Sequence, residues 1–404
     1  MTTQISFLGK SQIDNRTGYR TARYRFPDGS TAETAFFGLA LAGKLHPQRL
    51  VLLGTSGSMW DTLVENQAPD DRPEQPNLEQ PRLELMDAVR ADAVNDAHLA
   101  PLAPLVEARI GCPVTLRIIP YGRDAQEQIA ILRVMAEAVA GRTQDGVTLD
   151  VTHGLRHLPM LALVAAFYLE RVQGVEVAEI YYGALEMTQD GLSPVLSLKG
   201  LLEVMDWVQA LAGFDRDSDY GPLAPLLERA GATGQQVQHL RRAAYVERVF
   251  NHELARQHLL PLRGLLRDGL PGVAALFTDP LARRLEWAEG TAAPIRLAAM
   301  ARHRYQQGDY LRAAIAGTTG FLAGMARPGE RLSDFSTFEA IEQAFRDGQR
   351  GNPDLRQDYE ALKRLRNALA HGTPPRHDES RRALADEDRL KTAIASLLDR
   401  LLPG

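Results

Sequence analysis

What this sequence lacks narrows its chemistry before anything it contains. It has a single cysteine, Cys112. One thiol excludes a disulfide framework and a cysteine-built zinc cluster, and it suits a reducing cytoplasm. Long apolar runs are missing: the longest, Met160 to Leu169, is half of the ~20 residues a membrane-spanning helix needs. The opening MTTQISFLGKSQ has neither the basic start nor the apolar stretch of a signal peptide. The expectation is a cytoplasmic protein with no membrane partner. An excess of positive charge is absent too. With 46 Lys+Arg against 51 Asp+Glu the net charge is -5, so any nucleic acid must be gripped locally and not by a general basic coat. Glycine fingerprints are missing as well. No G-x-G-x-x-G follows the run Ile5 to Gly9, and no G-x-x-x-x-G-K-[ST] occurs, which weakens dinucleotide and P-loop readings. HELARQH places Arg256 where a metalloprotease would need its second histidine. No other His and carboxylate cluster has metal spacing, so the expected metal ligands are none.

What remains is a chain of 404 residues, too long for one ordinary core, with the 45% hydrophobic and 24% charged content of a globular protein. Its first 200 residues alternate strand and helix patterns. ISFLG, RLVLLGTSGS, VTLRIIPYG, VTLDVTHG and VAEIYYGALE read as strands, and YRTARYRFPDGS as a hairpin. TAFFGLALAGKL, a segment from about Leu83 to Val106, AQEQIAILRVMAEAVAG and LPMLALVAAFYLERV read as helices. Residues 66–82, with four prolines, read as an exposed loop. Strands separated by single helices imply right-handed crossovers and a parallel sheet covered on both faces. From about Leu201 the strand signals fade into helical patterns, with a break at GTAAP, Gly290 to Pro294. The expected architecture is α/β plus all-α, divided as 1–200, 201–290 and 291–404. No internal repeat is evident.

Ligands of open parallel sheets bind beyond the carboxyl ends of the strands. Three turns expected there are rich in Gly, Ser, Thr and His: LGTSGSMWD, IPYGRD and DVTHGLRHLP. Small residues let backbone N–H groups approach an anion, and Arg156 and Lys10 add positive charge. Together they suggest a pocket for a phosphorylated ligand. Such turns also occur at ordinary strand–helix junctions, and His153 alone reads better as a satisfied buried histidine.

Near the other end, LKRLRNALAHGT spaces Leu362, Leu365 and Leu369 as one apolar helix stripe. Asn367 and His371 share another face, and Gly372 stops the helix. Arg366 stands about 140° round the helix from His371, so only a second helix or a second subunit brings the two together. These residue types suit RNA cleavage without a metal. Histidine moves a proton near neutrality, arginine holds the scissile phosphate, and asparagine orients one of them. They are also good capping chemistry for a helix end.

DVTHGLRHLP resembles the D-[IV]-T-H-G-[FL]-R-x-L-P signature of CARF domains in CRISPR-associated proteins, and ISFLGK, LLGTSGSMWD, IPYGRDAQEQ and IYYGALE follow in that family's order. RNALAH resembles the R-x-x-x-x-H motif of HEPN ribonucleases. The resemblance implies residues 1–200 as a Rossmann-like CARF sensor, 201–290 as a helical connector and 291–404 as a HEPN ribonuclease bundle, in an accessory ribonuclease of type III CRISPR antiviral defence. It implies that cyclic oligoadenylate, with cyclic tetra-adenylate the leading candidate, activates a homodimer or higher oligomer that cuts single-stranded RNA without a metal cofactor. Carried over, Arg366, Asn367 and His371 are catalytic. Thr55, Ser56, Gly57, Ser58, Thr152, His153, Gly154 and Arg156 line the ligand pocket, with Gly9, Lys10, Tyr121 and Gly122 as further candidates. Two rivals stay open: a CARF sensor that regulates without nuclease activity, and a Rossmann-type nucleotide-dependent enzyme.

Overall fold

The structure, a computed structural model, describes residues 2–10, 13–14, 18–65, 79–141, 146–217, 219–289, 292–372 and 375–402. The chain divides into two compact units, Met1–Met205 and Asp206–Gly404.

The first unit is built on an eight-stranded sheet. From one edge its strands are Thr31–Thr34, Ala22–Arg25, Leu192–Ser197, Val177–Gly183, Gly146–Asp150, Thr2–Leu8, Arg49–Gly54 and Val114–Ile118. The last five named run parallel. The Thr2–Leu8 strand lies at their centre and is buried almost throughout, as a strand covered on both faces must be. The NH2 group of its buried Gln4 donates to Ser6 Oγ at 2.9 Å and to Gly38 O at 2.7 Å. Ile5 and Phe7 join Val51, Leu53, Val147 and Leu149 in one apolar layer, under the helices Ala125–Ala138 and Leu158–Arg171. Leu8, Leu50 and Leu52 point the other way, toward Phe36, Trp60, Leu85 and Val106. From the central strand the chain steps outward to Arg49–Gly54 and Val114–Ile118, then crosses back to Gly146–Asp150 on the opposite side. The carboxyl ends of Thr2–Leu8 and Gly146–Asp150, paired in register at Ser6 and Asp150, therefore flank the switch point.

The fold departs from the sequence reading in three places. Leu192–Ser197 is a strand, antiparallel to Val177–Gly183 and parallel to Ala22–Arg25, which ties the PDG hairpin to the sheet. Pro194 within it lacks an N–H for the ladder, which weakens the strand pattern in the sequence. The single helix expected from Leu83 to Val106 is three: Glu79–Arg90, Asp96–Leu99 and Ala103–Ile110. Asn95 caps the second one, and Pro101 and Pro104 restart the chain beyond it. Of the proline-rich segment, residues 66–78 lie outside the described residues, and Glu79–Arg82 already belong to a helix. Gly290 and Thr291 of the expected break also lie outside them.

The second unit is helical. Ala293–Gln306, Tyr310–Ala323, Phe335–Arg346, Arg356–His371 and Glu387–Leu401 share one apolar core around Phe345, Tyr359, Leu362, Leu365, Ile394 and Leu398. Helix contact is close at Gly317, where a Cβ would fall 2.5 Å from Leu398 Cδ2. In front of this bundle, Arg304 of the Ala293–Gln306 helix forms a buried ion pair with Glu247 at 2.8 Å.

Candidate functional site

In the first unit the turns at the switch point hold one another. Ser58 Oγ donates to Leu8 O at 2.7 Å and accepts from Thr55 N at 2.9 Å, and Met59 N donates to Gly9 O at 2.8 Å. The LGTSGS turn is thereby laid across the end of the first strand. Trp60 Nε1 closes that turn by donating to Thr55 O at 2.8 Å. Gly9 passes so near the next turn that a Cβ on it would lie 2.3 Å from Gly154 N, and Gly154 has φ +117, a conformation open to glycine. Ser56 Oγ is 3.5 Å from the Tyr121 hydroxyl. His157 Nε2 lies 2.9 Å from Tyr121 O, against Gly122 at φ +77. Gly9, Thr55, Ser56, Gly57, Ser58, Tyr121, Gly122 and Gly154 thus meet along one edge of the sheet.

Three of the remaining candidates have defined tasks. Thr152 accepts from Gly183 N at 2.8 Å through its hydroxyl, and its own N–H donates to Asp150 Oδ1 at 2.9 Å. His153 turns its ring to Phe36 and accepts from Phe37 N at 3.1 Å through Nε2, which leaves the proton on Nδ1. It supplies the acceptor at the start of the helix Phe37–Leu45, whose own preceding residue offers none. Burial lowers its pKa to about 4, so it is neutral at pH 7. Lys10 pairs with Asp92 at 2.5 Å, and both side chains are about half exposed. Arg156 stands exposed beside Gly154 and Leu155.

The expected site set left out five residues that shape these turns. Asp92 lies in the left-handed region at φ 54, and its carboxylate covers Gly57, where a Cβ would come within 1.9 Å of Oδ1. Val94 N donates to Ser56 O at 3.1 Å and ties that segment to the turn. Arg123 stacks over the Tyr121 ring at 4.7 Å, and His157 braces the same turn. Asp150, wholly buried below the turns, has its pKa raised to about 6 by burial, against the opposing hydrogen bonds from Thr152. Asp92 carries no local signal, because its partners are remote in sequence. Asp150 stands in the DVTHG motif and was legible there.

In the second unit the helix Arg356–His371 buries Leu362 and Leu365, packs Leu369 partly, and ends at Gly372 with φ 62, whose N–H donates to Ala368 O at 2.9 Å. His371 and Asn367 are exposed, and Arg366 is half-buried. The Arg366 guanidinium donates to Asn367 Oδ1 through Nε at 3.0 Å and Nη2 at 2.8 Å. Arg366 also walls a cavity of about 480 Å³. The helix brings Arg366 to Asn367 and leaves His371 a turn further on, facing solvent. Thr373 and Pro374 lie outside the described residues. Among the described residues no helix is long and apolar enough to cross a membrane.

Comparison with known proteins adds three findings. Residues 3–186 match the family model described as CRISPR system endoribonuclease Csx1, CARF domain. The CRISPR-associated protein MJ1674 of Methanocaldococcus jannaschii is 25% identical over 268 residues, 62% of this chain. That stretch spans only 41% of the relative's own length. Among solved structures, Enterococcus italicus Csm6 bound to cyclic hexa-2'-fluoro-hexa-dAMP aligns over 99% of this chain and 94% of that chain, at 12% identity and a TM-score of 0.41, a likeness too slight to carry an argument.

Proposed function

We propose that the chain, whose residues 3–186 match a CARF-domain family model, is an accessory protein of type III CRISPR systems and a cyclic oligoadenylate-activated endoribonuclease that cuts single-stranded RNA without a metal. The observation that carries this reading is the Arg366, Asn367 and His371 set at a solvent-facing helix end, in a chain whose other half is a CARF domain. In this reading residues 291–404 form the ribonuclease bundle and residues 201–290 the connector. The activator lies against the turns at the switch point, where backbone N–H groups, Lys10 and Arg156 meet its phosphates. Tyr121 and Arg123 offer a face to an adenine ring. A ring of identical nucleotides has rotational symmetry, so a two-fold pair of sensors meets it with the same turns twice.

Cleavage follows from the chemistry of the three residues. The 2'-hydroxyl attacks the adjacent phosphorus and loses its proton to a base. The P–O5' bond breaks, and the leaving oxygen takes a proton from an acid, which gives a 2',3'-cyclic phosphate and a 5'-hydroxyl. An imidazole serves either proton transfer, and the guanidinium stabilises the charge gathering on the phosphoryl oxygens. Two chains would each supply an Arg366 and a His371, since one helix does not face them together. The activator promotes this only if it binds the productive arrangement better than the idle one.

The test is cutting of labelled single-stranded RNA in EDTA, with and without cyclic tetra- or hexa-adenylate. The expected result is activator-dependent cutting that His371→Ala reduces by about a hundredfold or more, the usual contribution of a general acid or base. Equal cutting by wild type and His371→Ala would remove the catalytic assignment. Tight activator binding with no cutting at all would favour a sensor that regulates without nuclease activity.

A further inference from the structure

The cavity of about 480 Å³ in the helical unit falls within the size range of small-molecule sites, and its charged lining is unevenly satisfied. Lys363 pairs with Glu342, and Arg296 pairs with Glu253 at 2.6 Å. Arg366 differs: among the described residues its hydrogen bonds go to the neutral amide oxygen of Asn367. Glu339, exposed on the same wall, has no hydrogen bond or ion pair among the described residues. Phe335, which also lines the cavity, is 77% exposed, more than any other large apolar side chain described. It opens the helix Phe335–Arg346, and Phe338 lies one turn on. One cavity therefore gathers a cation without a carboxylate partner, an unengaged carboxylate and an uncovered aromatic ring.

These are the complements of a nucleotide's three parts: an anion, a hydrogen-bonding edge and a flat face. Proteins that read single-stranded RNA use aromatic rings for the base and cations for the phosphate. We infer that this cavity holds one nucleotide of the RNA next to the scissile phosphate, its base on Phe335, its phosphate toward Arg366, and that Glu339 selects bases with an exocyclic amine over uracil. A carboxylate only accepts hydrogen bonds, so it pairs with the exocyclic amino group of adenine, cytosine or guanine, whereas uracil's one donor, N3–H, is flanked by the O2 and O4 acceptors that oppose it. The inference rests on the ribonuclease reading for its substrate, but not for the binding itself.

The test uses the full chain and two readouts. Trp287 lines the cavity, so its fluorescence reports occupancy, with Trp287→Phe fixing the origin of the signal. Under titration, adenosine 5'-monophosphate is expected to act at about tenfold lower concentration than uridine 5'-monophosphate. Glu339→Gln brings the two together, and Phe335→Ala weakens both by about tenfold, the scale of one stacked base. Both side chains are exposed, so neither variant threatens the fold. In the second readout, cut sites are mapped on a mixed-sequence RNA with activator present. Wild type avoids uridine at one position beside the cut, and Glu339→Gln loses that bias. Nucleotide binding without any RNA cutting would overturn the ribonuclease reading and leave the cavity assignment standing. Cutting with no Trp287 response, and with site choice unchanged in both variants, would overturn the cavity assignment. Equal binding of the two monophosphates to wild type would remove Glu339 from base selection.

Discussion

Asp150 and His153 stand three residues apart, and burial pushes them in opposite directions. The Asp150 carboxyl is raised to about 6, so the fold favours its protonated form. Its contribution to stability is present below the unfolded value near 3.8 and is lost as pH rises through 6. His153 is lowered to about 4, so its contribution is present above the unfolded value of 6.5 and is lost as pH falls toward 4. Asp150→Asn keeps an oxygen for Thr152 N and removes the buried charge. Its melting temperature should gain on wild type at pH 8 and not at pH 4. The gain is bounded by about 3 kcal/mol, from roughly two pH units at 1.36 kcal/mol each. A uniform effect at both pH values would mean that Asp150 titrates as an ordinary carboxylate. At this scale the sequence exposed what sits within one motif. Asp150, Thr152 and His153 were all visible in DVTHG. The ring of His153 spends its acceptor on Phe37, 116 residues away, which no local pattern records. The Lys10–Asp92 pair is hidden for the same reason, since it joins segments 82 residues apart.

Between elements, the decisive contact is the approach of two turns with no side chain between them. Gly9→Ala would place a methyl 2.3 Å from Gly154 N, and backbone cannot yield as a flexible side chain can. The variant should lose more than about 2 kcal/mol in chemical denaturation of the first unit, in the range of overpacked interiors. A loss below 0.5 kcal/mol would mean that the turns have slack. The parallel strands themselves were readable because each carries a short β-branched or leucine-rich run closed by a glycine or turn, and all but Val177–Gly183 lead, directly or through the hairpin, into a periodic helix. The segment from Leu83 to Val106 misled because its apolar spacing continues through two breaks. Asn95, Pro101 and Pro104 were the available signals, and the periodicity outweighed them. The strand Leu192–Ser197 was invisible because its pairing depends on a neighbour, Val177–Gly183, and its proline argued against it.

For the whole molecule, the first unit leaves an apolar row uncovered. Met160 (66% exposed), Val164 (50%), Tyr168 (42%) and Val172 (67%) recur every four residues along one side of Leu158–Arg171 and just past its end. On the proposed reading, in which two chains share one catalytic site, this row would meet a second copy of the chain. In Met160→Glu/Val164→Glu the molar mass from light scattering should fall from dimer to monomer, with the circular dichroism spectrum unchanged and activator-dependent cutting lost. A variant that stays dimeric would place the subunit contact elsewhere. That the molecule is a sheet unit followed by a helical unit was clear from the loss of strand signals near Leu201. How its parts serve one another was not, because that depends on surfaces and composition shows only cores.

The interlocked turns at the switch point have a mechanical consequence. Leu8 is held by Ser58, Gly9 by Met59, Gly154 sits against Gly9, and His157 clasps Tyr121. A turn in such a rim has little room to shift alone, because each is bonded to or packed against its neighbour.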